Sequence, residues 1–147
     1  MARDVWKGEG PVLVDTSAWI TARRTPGARD RLLAAVERGN VAWCWPVRYE
    51  LMIDARNRAA IAALDRSFES LREIRIDWAA QQRVLAIMRD LADAGSHGAH
   101  RIPLADLSVV VAAQSAGVAV LHFDHHVDRL GTVLGVTSWW LADPEVG

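Results

Sequence analysis

Hydrophobic positions along the chain fall into short apolar runs separated by longer stretches with helical periodicity. Runs of about four to six apolar residues, bounded by Gly, Pro or polar positions, are typical of buried strands. Four segments fit this description, with a fifth, "REIRID", as a short edge strand. The four are "VLV" before Asp15, "VAWCW", "VAVLHF" and "VTSWWL". We expect "VAVLHF" to be a central parallel strand.

The intervals between these strands carry apolar residues three or four positions apart, which is typical of amphipathic helices. A first helix is predicted to begin near Ser17 and to break at Pro26 and Gly27. The further predicted helices are "ARDRLLAAVERGN", "VRYELMIDARN" with Pro46 in the first turn, residues 58–71, "WAAQQRVLAIMRDLADAG" closed by Gly95, and, after the loop "SHGAHRIP", the apolar "LADLSVVVAAQSAG". This alternation predicts an α/β fold, a three-layer α/β/α sandwich with a short, mainly parallel central sheet, in one domain over residues 1–147.

Four acidic residues occupy positions where such a fold binds ligands, beyond the carboxyl ends of its strands. Asp15 follows "VLV" and Asp124 follows "VLHF", while Asp106 lies in the first turn of the apolar helix. Glu50 interrupts an apolar helical stretch, where a carboxylate is costly unless it is paired or metal-bound. Four converging carboxylates repel one another and need cations, and hard oxygen ligands suit Mg²⁺ or Mn²⁺. Phosphodiester hydrolysis is the chemistry that such a site serves best.

Each acid also has a purely structural interpretation. Asp15 and Asp106 can act as helix caps or interact with the helix dipole. Glu50 can belong to a surface salt bridge, and Asp124 can be a turn residue after a strand. The order and placement of all four together favour a shared site.

Composition narrows the setting of this site. The chain has 147 residues, 51% of them hydrophobic, and a formal charge of −1, so no overall basic field points to nucleic acid, although a local basic rim remains compatible with it. Cys44 is the single cysteine, which excludes an internal disulfide and a cysteine-cluster zinc site. The sequence contains no apolar run of about 20 residues and no signal-peptide core, so we expect a cytoplasmic protein without a membrane span.

Taken in order, the segments "VLVDTSAW", "PVRYELM", "IPLADLSVVVAAQ" and "VLHFDHHVDRL" resemble PIN-domain ribonucleases, and in particular the VapC-type toxins of bacterial type II toxin–antitoxin modules. The resemblance covers essentially the whole chain and implies a PIN-like fold. It also implies an endoribonuclease that depends on Mg²⁺ or Mn²⁺ and is blocked by a cognate antitoxin. Such proteins are commonly homodimers and form hetero-oligomers with the antitoxin.

The resemblance assigns roles to individual residues. Asp15, Glu50, Asp106 and Asp124 match the acidic quartet of the family, and Thr16 and Ser17 match the small polar residues that support the first acid. We infer that the three aspartates hold the principal metal and that Glu50 orients or deprotonates the attacking water. Cleavage would leave 5′-phosphate and 3′-hydroxyl ends.

Basic and aromatic residues indicate where partners bind. We expect Arg23, Arg24 and Arg101 to contact RNA phosphates, although ordinary surface charge is the alternative for each of them. Aromatic side chains favour interfaces because they bury a large area with a polar handle. We therefore expect an antitoxin groove or a dimer contact to include some of Trp19, Trp43, Trp45, Trp139 and Trp140.

The stretch after Asp124 departs from the family pattern. Many members read D-x-D-F there, whereas this chain has Asp124, His125, His126 and Val127. Histidine therefore replaces an acid at the second metal position, and we include His126 and Asp128 as supporting residues of the site. Neutral imidazole is a poor ligand for Mg²⁺ but a fair one for Mn²⁺.

Other functions fit the sequence less well. A DHH-type phosphoesterase needs a separate N-terminal histidine motif, and the chain has no histidine before His97. A zinc site built from His122, His125, His126 and Asp128 lacks a helix-borne H-x-x-x-H pattern. A phosphoacceptor receiver domain needs a late lysine, and Lys7 is the only lysine. A catalytically weak or silent PIN domain that acts as a binding module is the remaining alternative.

Overall fold

The computed structural model describes residues 4–95 and 98–146 and contains a five-stranded parallel sheet. The strands are β1 (Val12–Val14), β2 (Val41–Trp43), β3 (Arg72–Glu73), β4 (Ala119–His122) and β5 (Ser138–Trp140). Their order is β3-β2-β1-β4-β5, so β1 occupies the middle and β3 is an edge strand, as predicted. "VAVLHF" was expected to be the central strand. Its strand β4 lies inside the sheet, one position from the centre, between β1 and β5.

Seven helices are found in the described residues. They are α1 (Thr16–Ala22), α2 (Pro26–Glu37), α3 (Trp45–Ile53), α4 (Arg58–Glu69), α5 (Trp78–Ala94), α6 (Leu104–Ala116) and α7 (His125–Leu134). Pro26 starts α2 and does not lie in a break between helices, because a proline in the first turn gives up no helical hydrogen bond. The predicted helix over 47–57 is shorter at its end, because the Asn57 side chain accepts from Ala60 N and caps α4 instead.

The sheet is covered on both faces, which gives the predicted three layers. Leu13 of β1 points into the larger core with residues of α3, α5, α6 and α7. Its neighbours Val12 and Val14 point to the opposite face, into a second core with residues of α1 and α2. Because successive strand side chains alternate between faces, a three-residue apolar strand such as β1 needs a hydrophobic layer on each side.

Helix α6 is the most deeply buried helix, with all seven residues from Leu107 to Ala113 buried. It ends at Gly117, whose φ of +67° is a left-handed conformation that glycine adopts without steric cost, and β4 begins two residues later. The N-terminus of α6 therefore lies toward the carboxyl edge of the sheet, where α1, α3 and α7 also begin. The predicted loop 96–103 is described only from residue 98, since residues 96–97 lie outside the described residues.

No helix in the described part of the chain is long and apolar enough to cross a membrane.

Candidate functional site

Asp15 follows β1 directly and is the most buried of the four predicted acids, with 3% of its surface exposed. Its main-chain N–H donates to Leu121 O at 2.9 Å, which ties the end of β1 to β4. Its Oδ2 atom accepts from Ser17 N at 3.1 Å and from Ser17 Oγ at 2.5 Å, so Asp15 does cap α1. Burial raises the pKa of Asp15 more than these hydrogen bonds lower it, and the charges of Glu50 and Asp124 raise it further.

Ser17 joins the two strand ends that carry the first and last acids. While its hydroxyl donates to Asp15, the same oxygen accepts the main-chain N–H of Phe123 at 2.9 Å. Phe123 immediately precedes Asp124, so one side chain fixes the spacing between the two acidic segments. The sequence singled out Ser17 as a supporting residue, and its two hydrogen bonds give that role a physical basis.

Glu50 lies on α3 and contacts α1 through a hydrogen bond. Thr16 Oγ1 donates to Glu50 Oε1 at 2.8 Å, so both polar residues beside Asp15 bind an acid of the site. The salt-bridge alternative for Glu50 finds no support among the described ion pairs, because Arg48 on the same helix pairs with Asp65. Glu50 is half-buried, and its hydrogen bond with Thr16 links it to the residue next to Asp15.

Asp106 is the third residue of α6 and is half-buried. Pro103 occupies the N-cap position of that helix, so Asp106 is a first-turn residue and the N-cap interpretation does not hold. Burial raises its pKa to about 6, and the charges of Asp15, Asp124 and Glu50 act in the same direction while His126 lowers it. Asp106 therefore lies within the electrostatic reach of all three other acids.

Asp124 follows β4 and caps α7. Its Oδ1 atom accepts His126 N–H at 2.7 Å, and its main-chain oxygen accepts Asp128 N–H at 3.1 Å. As with Asp15, the described hydrogen bonds engage only one carboxylate oxygen, which leaves the other one for a ligand. Asp124 is half-buried, so it is more accessible than Asp15.

The donor set fits a hard divalent cation in its chemistry. All four acids offer oxygen ligands, and burial, together with the charges of the other acids, opposes ionisation of Asp15 and Asp106 unless a cation offsets it. Within the described residues, no three His, Cys, Asp or Glu side chains form a group that could hold an ion by themselves. An ion at this edge would therefore complete its shell with water or substrate oxygens, as Mg²⁺ usually does.

The histidines around Asp124 do not converge on one point. His122 is fully buried at the end of β4, whereas His125 and His126 are exposed in the first turn of α7. The ring of His125 packs against Trp140 with a centroid distance of 4.9 Å. Asp128 faces inward, with Oδ1 3.4 Å from His122 Nε2 and 3.4 Å from Ser138 Oγ. This arrangement argues against the stand-alone zinc site.

The predicted RNA-contacting arginines are all exposed but lie in two places. Arg23 and Arg24 follow the end of α1, about 10 Å of helix away from Asp15. Arg101 lies on the other side, in a groove of about 520 Å³ whose wall also includes His126 and Arg129. Sequence reasoning missed Arg129. The signal available was its position three residues after His126, on the same face of a helix.

The tryptophans divide between core and surface. Trp43 and Trp140 are buried, which leaves Trp19, Trp45 and Trp139 as the candidates for the expected interface: Trp43 packs against Phe68, and Trp140 packs against His122. Trp19 and Trp139 are partly buried, and Trp45 is 51% exposed. Trp78, which was not among the predicted residues, is the most exposed of the described tryptophans at 73%.

Two apolar surfaces are open to a partner. A groove of about 300 Å³ lies between α1, α2, α3 and α4 and is lined by residues that include Trp19, Leu33, Leu64 and Phe68, with Arg23 and Arg29 beside them. We call it the α1–α4 groove. A second surface, the Trp45–Trp78 patch, is formed by Trp45, Trp78, Leu85 and Leu104.

Comparison with known proteins identifies the family. The PIN domain family model matches residues 12–133, and the chain belongs to that family. The chain is 35% identical over 130 residues to ribonuclease VapC18 of Mycobacterium tuberculosis, which covers 87% of this chain and 93% of the relative. It is 29% identical over 133 residues to ribonuclease VapC21 of the same species, with 90% and 94% covered.

Solved structures agree with this assignment at the level of the fold. A crystal structure of DNA-bound VapBC from Salmonella typhimurium superposes with a TM-score of 0.70 at 16% identity, covering 91% of this chain and 100% of that one. VapBC2 from Rickettsia felis, bound to a promoter DNA fragment, gives a TM-score of 0.67 at 12% identity, with 88% and 97% covered. The predicted PIN-like α/β fold is confirmed.

Proposed function

We propose that this chain is a divalent-metal-dependent endoribonuclease toxin of the VapC type, kept inactive by a cognate antitoxin. The observation that carries the proposal is that four acids from different elements near the carboxyl edge of one parallel sheet act electrostatically on one another. Burial, and to a smaller extent their mutual repulsion, raise the pKa of Asp15 and Asp106, so their charged forms are unfavourable in a site without a cation. The names of the VapC relatives support ribonuclease activity.

Asp15, Asp106 and Asp124 would hold Mg²⁺ or Mn²⁺. Asp15 and Asp124, which cap α1 and α7, would each use the carboxylate oxygen that does not take part in the cap. When bound, the ion activates water and stabilises negative charge on the phosphate. Glu50 is held by Thr16 at 2.8 Å and so presents its second oxygen in a fixed direction. From there Glu50 accepts the proton of the attacking water, and in-line displacement at phosphorus leaves a 5′-phosphate and a 3′-hydroxyl end.

RNA would cross the acidic edge from the Arg101 side. Arg101 and Arg129 place two guanidinium groups beside the groove that also contains His126, and His126 is hydrogen-bonded through its N–H to Asp124. Guanidinium groups bind phosphates with paired N–H donors, so this local basic rim can offset the formal charge of −1. Arg23 and Arg24 lie farther from Asp15 and would contact a more distant phosphate.

The antitoxin would bind the α1–α4 groove. This groove begins on the helix that Asp15 caps, so a partner seated there is one short helix away from the acids. Its apolar lining suits a hydrophobic segment, and a basic side chain extended from that segment would neutralise the carboxylates. Trp19 would be the aromatic contact of this interface.

A second copy of the chain would cover the Trp45–Trp78 patch. Trp45, Trp78 and Leu104 are 51%, 73% and 63% exposed, and large adjoining apolar side chains in water favour association. Light scattering of the purified toxin should therefore give a dimer mass. Trp78→Glu should shift the mass to the monomer, whereas Arg75→Glu, on a neighbouring exposed position, should not.

Mapping RNA ends after brief expression tests the proposed reaction. New 5′-phosphate ends should appear in cells that express the chain alone, together with growth arrest, and both should disappear when the antitoxin encoded beside it is coexpressed. Purified protein should cleave RNA in Mg²⁺ or Mn²⁺ and stop in chelator. A soluble, metal-loaded protein that cleaves no RNA and harms no cells would favour the binding-module alternative.

A further inference from the structure

We propose that His122 is a positioning residue that fixes the main chain of Asp124 through the Nδ1 atom of its imidazole ring. The effect of His122 on RNA cleavage rests on the proposed function, whereas its effect on the position of Asp124 does not. His122 takes no part in the proposed chemistry, and it is the only histidine among the buried residues of the described chain.

The surroundings of His122 require an explanation for a polar side chain. It is 0% exposed at the end of β4, and its ring lies edge-on to Trp140 with centroids 4.7 Å apart. A buried polar ring without hydrogen bonds costs free energy that a leucine of similar volume would not. Packing alone therefore does not account for a histidine here.

Hydrogen bonds give His122 a specific orientation. The main-chain N–H of Asp124 donates to His122 Nδ1 at 3.3 Å, so Nδ1 is the unprotonated nitrogen and Nε2 carries the hydrogen. Nε2 lies 3.4 Å from Asp128 Oδ1, which is an electrostatic contact, and it has no hydrogen-bond partner although it is buried. The negative charge of Asp128 favours a hydrogen on Nε2, which is the tautomer whose Nδ1 can accept from Asp124.

The segment before α7 is consequently held at each peptide group. Leu121 O accepts from Asp15 N, and His122 O accepts from Leu141 N, both at 2.9 Å. Phe123 N–H donates to Ser17 Oγ, and Asp124 N–H donates to His122 Nδ1. Of these four hydrogen bonds, the one donated by Asp124 N–H is the one accepted by a side chain of β4, that of His122. Without His122, that N–H has no described acceptor, and the carboxylate that follows it loses a fixed direction.

Two substitutions separate positioning from packing. In His122→Asn the amide oxygen occupies approximately the place of Nδ1 and can still accept from Asp124 N–H. In His122→Leu the volume is kept and the acceptor is lost. Direct Mn²⁺ binding, followed by the loss of the free-ion signal in electron paramagnetic resonance, is measured beside thermal stability and RNA cleavage. His100→Leu, outside the site, is the control.

We expect His122→Leu to weaken Mn²⁺ binding by about 10-fold or more, as loss of a residue behind a metal ligand typically does. His122→Asn should recover most of that affinity even if it is the less stable of the two proteins, because it leaves a cavity. In the intact protein, ¹⁵N resonances of the His122 ring should show Nδ1 unprotonated and Nε2 protonated at pH 7.

The outcomes distinguish this inference from the proposed function. If Mn²⁺ affinity follows stability, with His122→Leu at least as good as His122→Asn, or if the ring shows the opposite tautomer, the positioning role is wrong. If the unmodified protein binds Mn²⁺ and shows the expected ranking but cleaves no RNA, the positioning role stands and the ribonuclease proposal fails.

Discussion

The carboxyl ends of β1 and β4 are built on the same plan but differ in their surroundings. The two strands are paired in the sheet, with Val14 opposite Leu121, and each is followed by an aspartate that caps the next helix. Asp15 is almost completely buried and takes a side-chain hydroxyl as a partner. Asp124 is half-buried, and its described partners are main-chain N–H groups, with the His122 ring behind it.

This difference teaches that one local pattern can serve two purposes. The end of β1 lies in the middle of the sheet, where α1 and α3 cover it, so Asp15 is rigid and its charge is penalised by desolvation. The end of β4 lies nearer the side of the sheet, where His125 and His126 are exposed, so we expect Asp124 to be the acid that substrate and metal reach first. We therefore expect changes at Asp15, at the end of β1, to abolish activity. Changes at His126, beyond the end of β4, should alter the preference between Mg²⁺ and Mn²⁺.

The largest effect should come from Asp15→Asn. The amide keeps the size and can still accept from Ser17 N–H, but it removes the charge that a divalent cation needs. We expect cleavage in Mg²⁺ to fall by more than about 100-fold, beyond the range typical of residues that only support a ligand. Asp106→Asn and Asp124→Asn should behave alike.

Asp77→Asn is the matched control for Asp15→Asn, because Asp77 caps α5 through Ala80 N–H at 2.8 Å and lies outside the site. It should cleave RNA at the normal rate. Near-normal cleavage by Asp15→Asn in Mg²⁺ would show that the site has been assigned to the wrong residues.

A smaller loss should follow from Ser17→Ala, which breaks the link between the two strand ends. The change leaves Phe123 N–H without its partner and should cost about 1–3 kcal/mol of stability. Cleavage should fall by about 10- to 100-fold because Asp15 loses its hydroxyl donor. Ser115→Ala is the control: it removes a hydroxyl that donates to Ala112 O near the far end of α6, and it should leave cleavage unchanged. Equal rates in both variants would contradict the linking role.

His126 variants test the exposed end. His126→Ala should reduce cleavage only several-fold, on the order of 2- to 10-fold, since imidazole is a weak Mg²⁺ ligand. His126→Asp restores an acid two positions after Asp124, so it should raise Mg²⁺-supported cleavage and narrow the advantage of Mn²⁺. Metal titrations of the three proteins measure this. Superimposable curves for all of them would place His126 outside the metal site.

The burial of Asp106, together with repulsion from the other acids, predicts that neutralising this residue stabilises the metal-free protein. The pKa of Asp106 is raised to about 6 in the folded protein from an ordinary 3.8, so the folded state binds more protons and its stability falls as pH rises through this window. Asp106→Asn removes that penalty. After allowance for its partial exposure, we expect a gain on the order of 1 kcal/mol at pH 7.5 that shrinks toward pH 4.5.

Urea unfolding in chelator at both pH values measures this gain, and the comparison of variant with parent cancels the other titrating groups. Added Mg²⁺ should stabilise the parent and not the variant. A loss of stability at pH 7.5 would mean that Asp106 is held by favourable contacts and not strained by its neighbours.

The smallest effect concerns Cys44, which follows β2 beneath the same edge. Burial, together with the charges of Asp15 and Glu50, raises the pKa of its thiol to about 12. A thiol reagent at pH 8 should therefore leave the native protein unmodified and label one thiol after unfolding. Cys44→Ser should cleave RNA at close to the normal rate. Rapid labelling of the native protein would show that the edge opens more than its packing indicates.

The sequence alone determined the class of fold and predicted which acids form the site. Short apolar runs alternating with amphipathic stretches predict parallel strands joined by helices, and an acid at a strand end lies at the ligand-binding edge of such a sheet. The fold prediction is confirmed because hydrophobic periodicity and strand polarity are local properties. The helix limits were less accurate, as at Pro26 and at residues 54–57, because side-chain caps compete over a few residues.

Only the tertiary structure decided how the residues around those acids divide their roles. Five of the tryptophans looked alike as interface candidates, yet Trp43 and Trp140 are core residues, and Trp78 had no signal to mark its exposure. Three histidines lie within five positions of the sequence. His122 is fully buried next to Asp124, whereas His125 and His126 are exposed. The burial of a side chain and its contacts depend on which distant elements pack together. The residues next to it in the sequence carry little information about that packing.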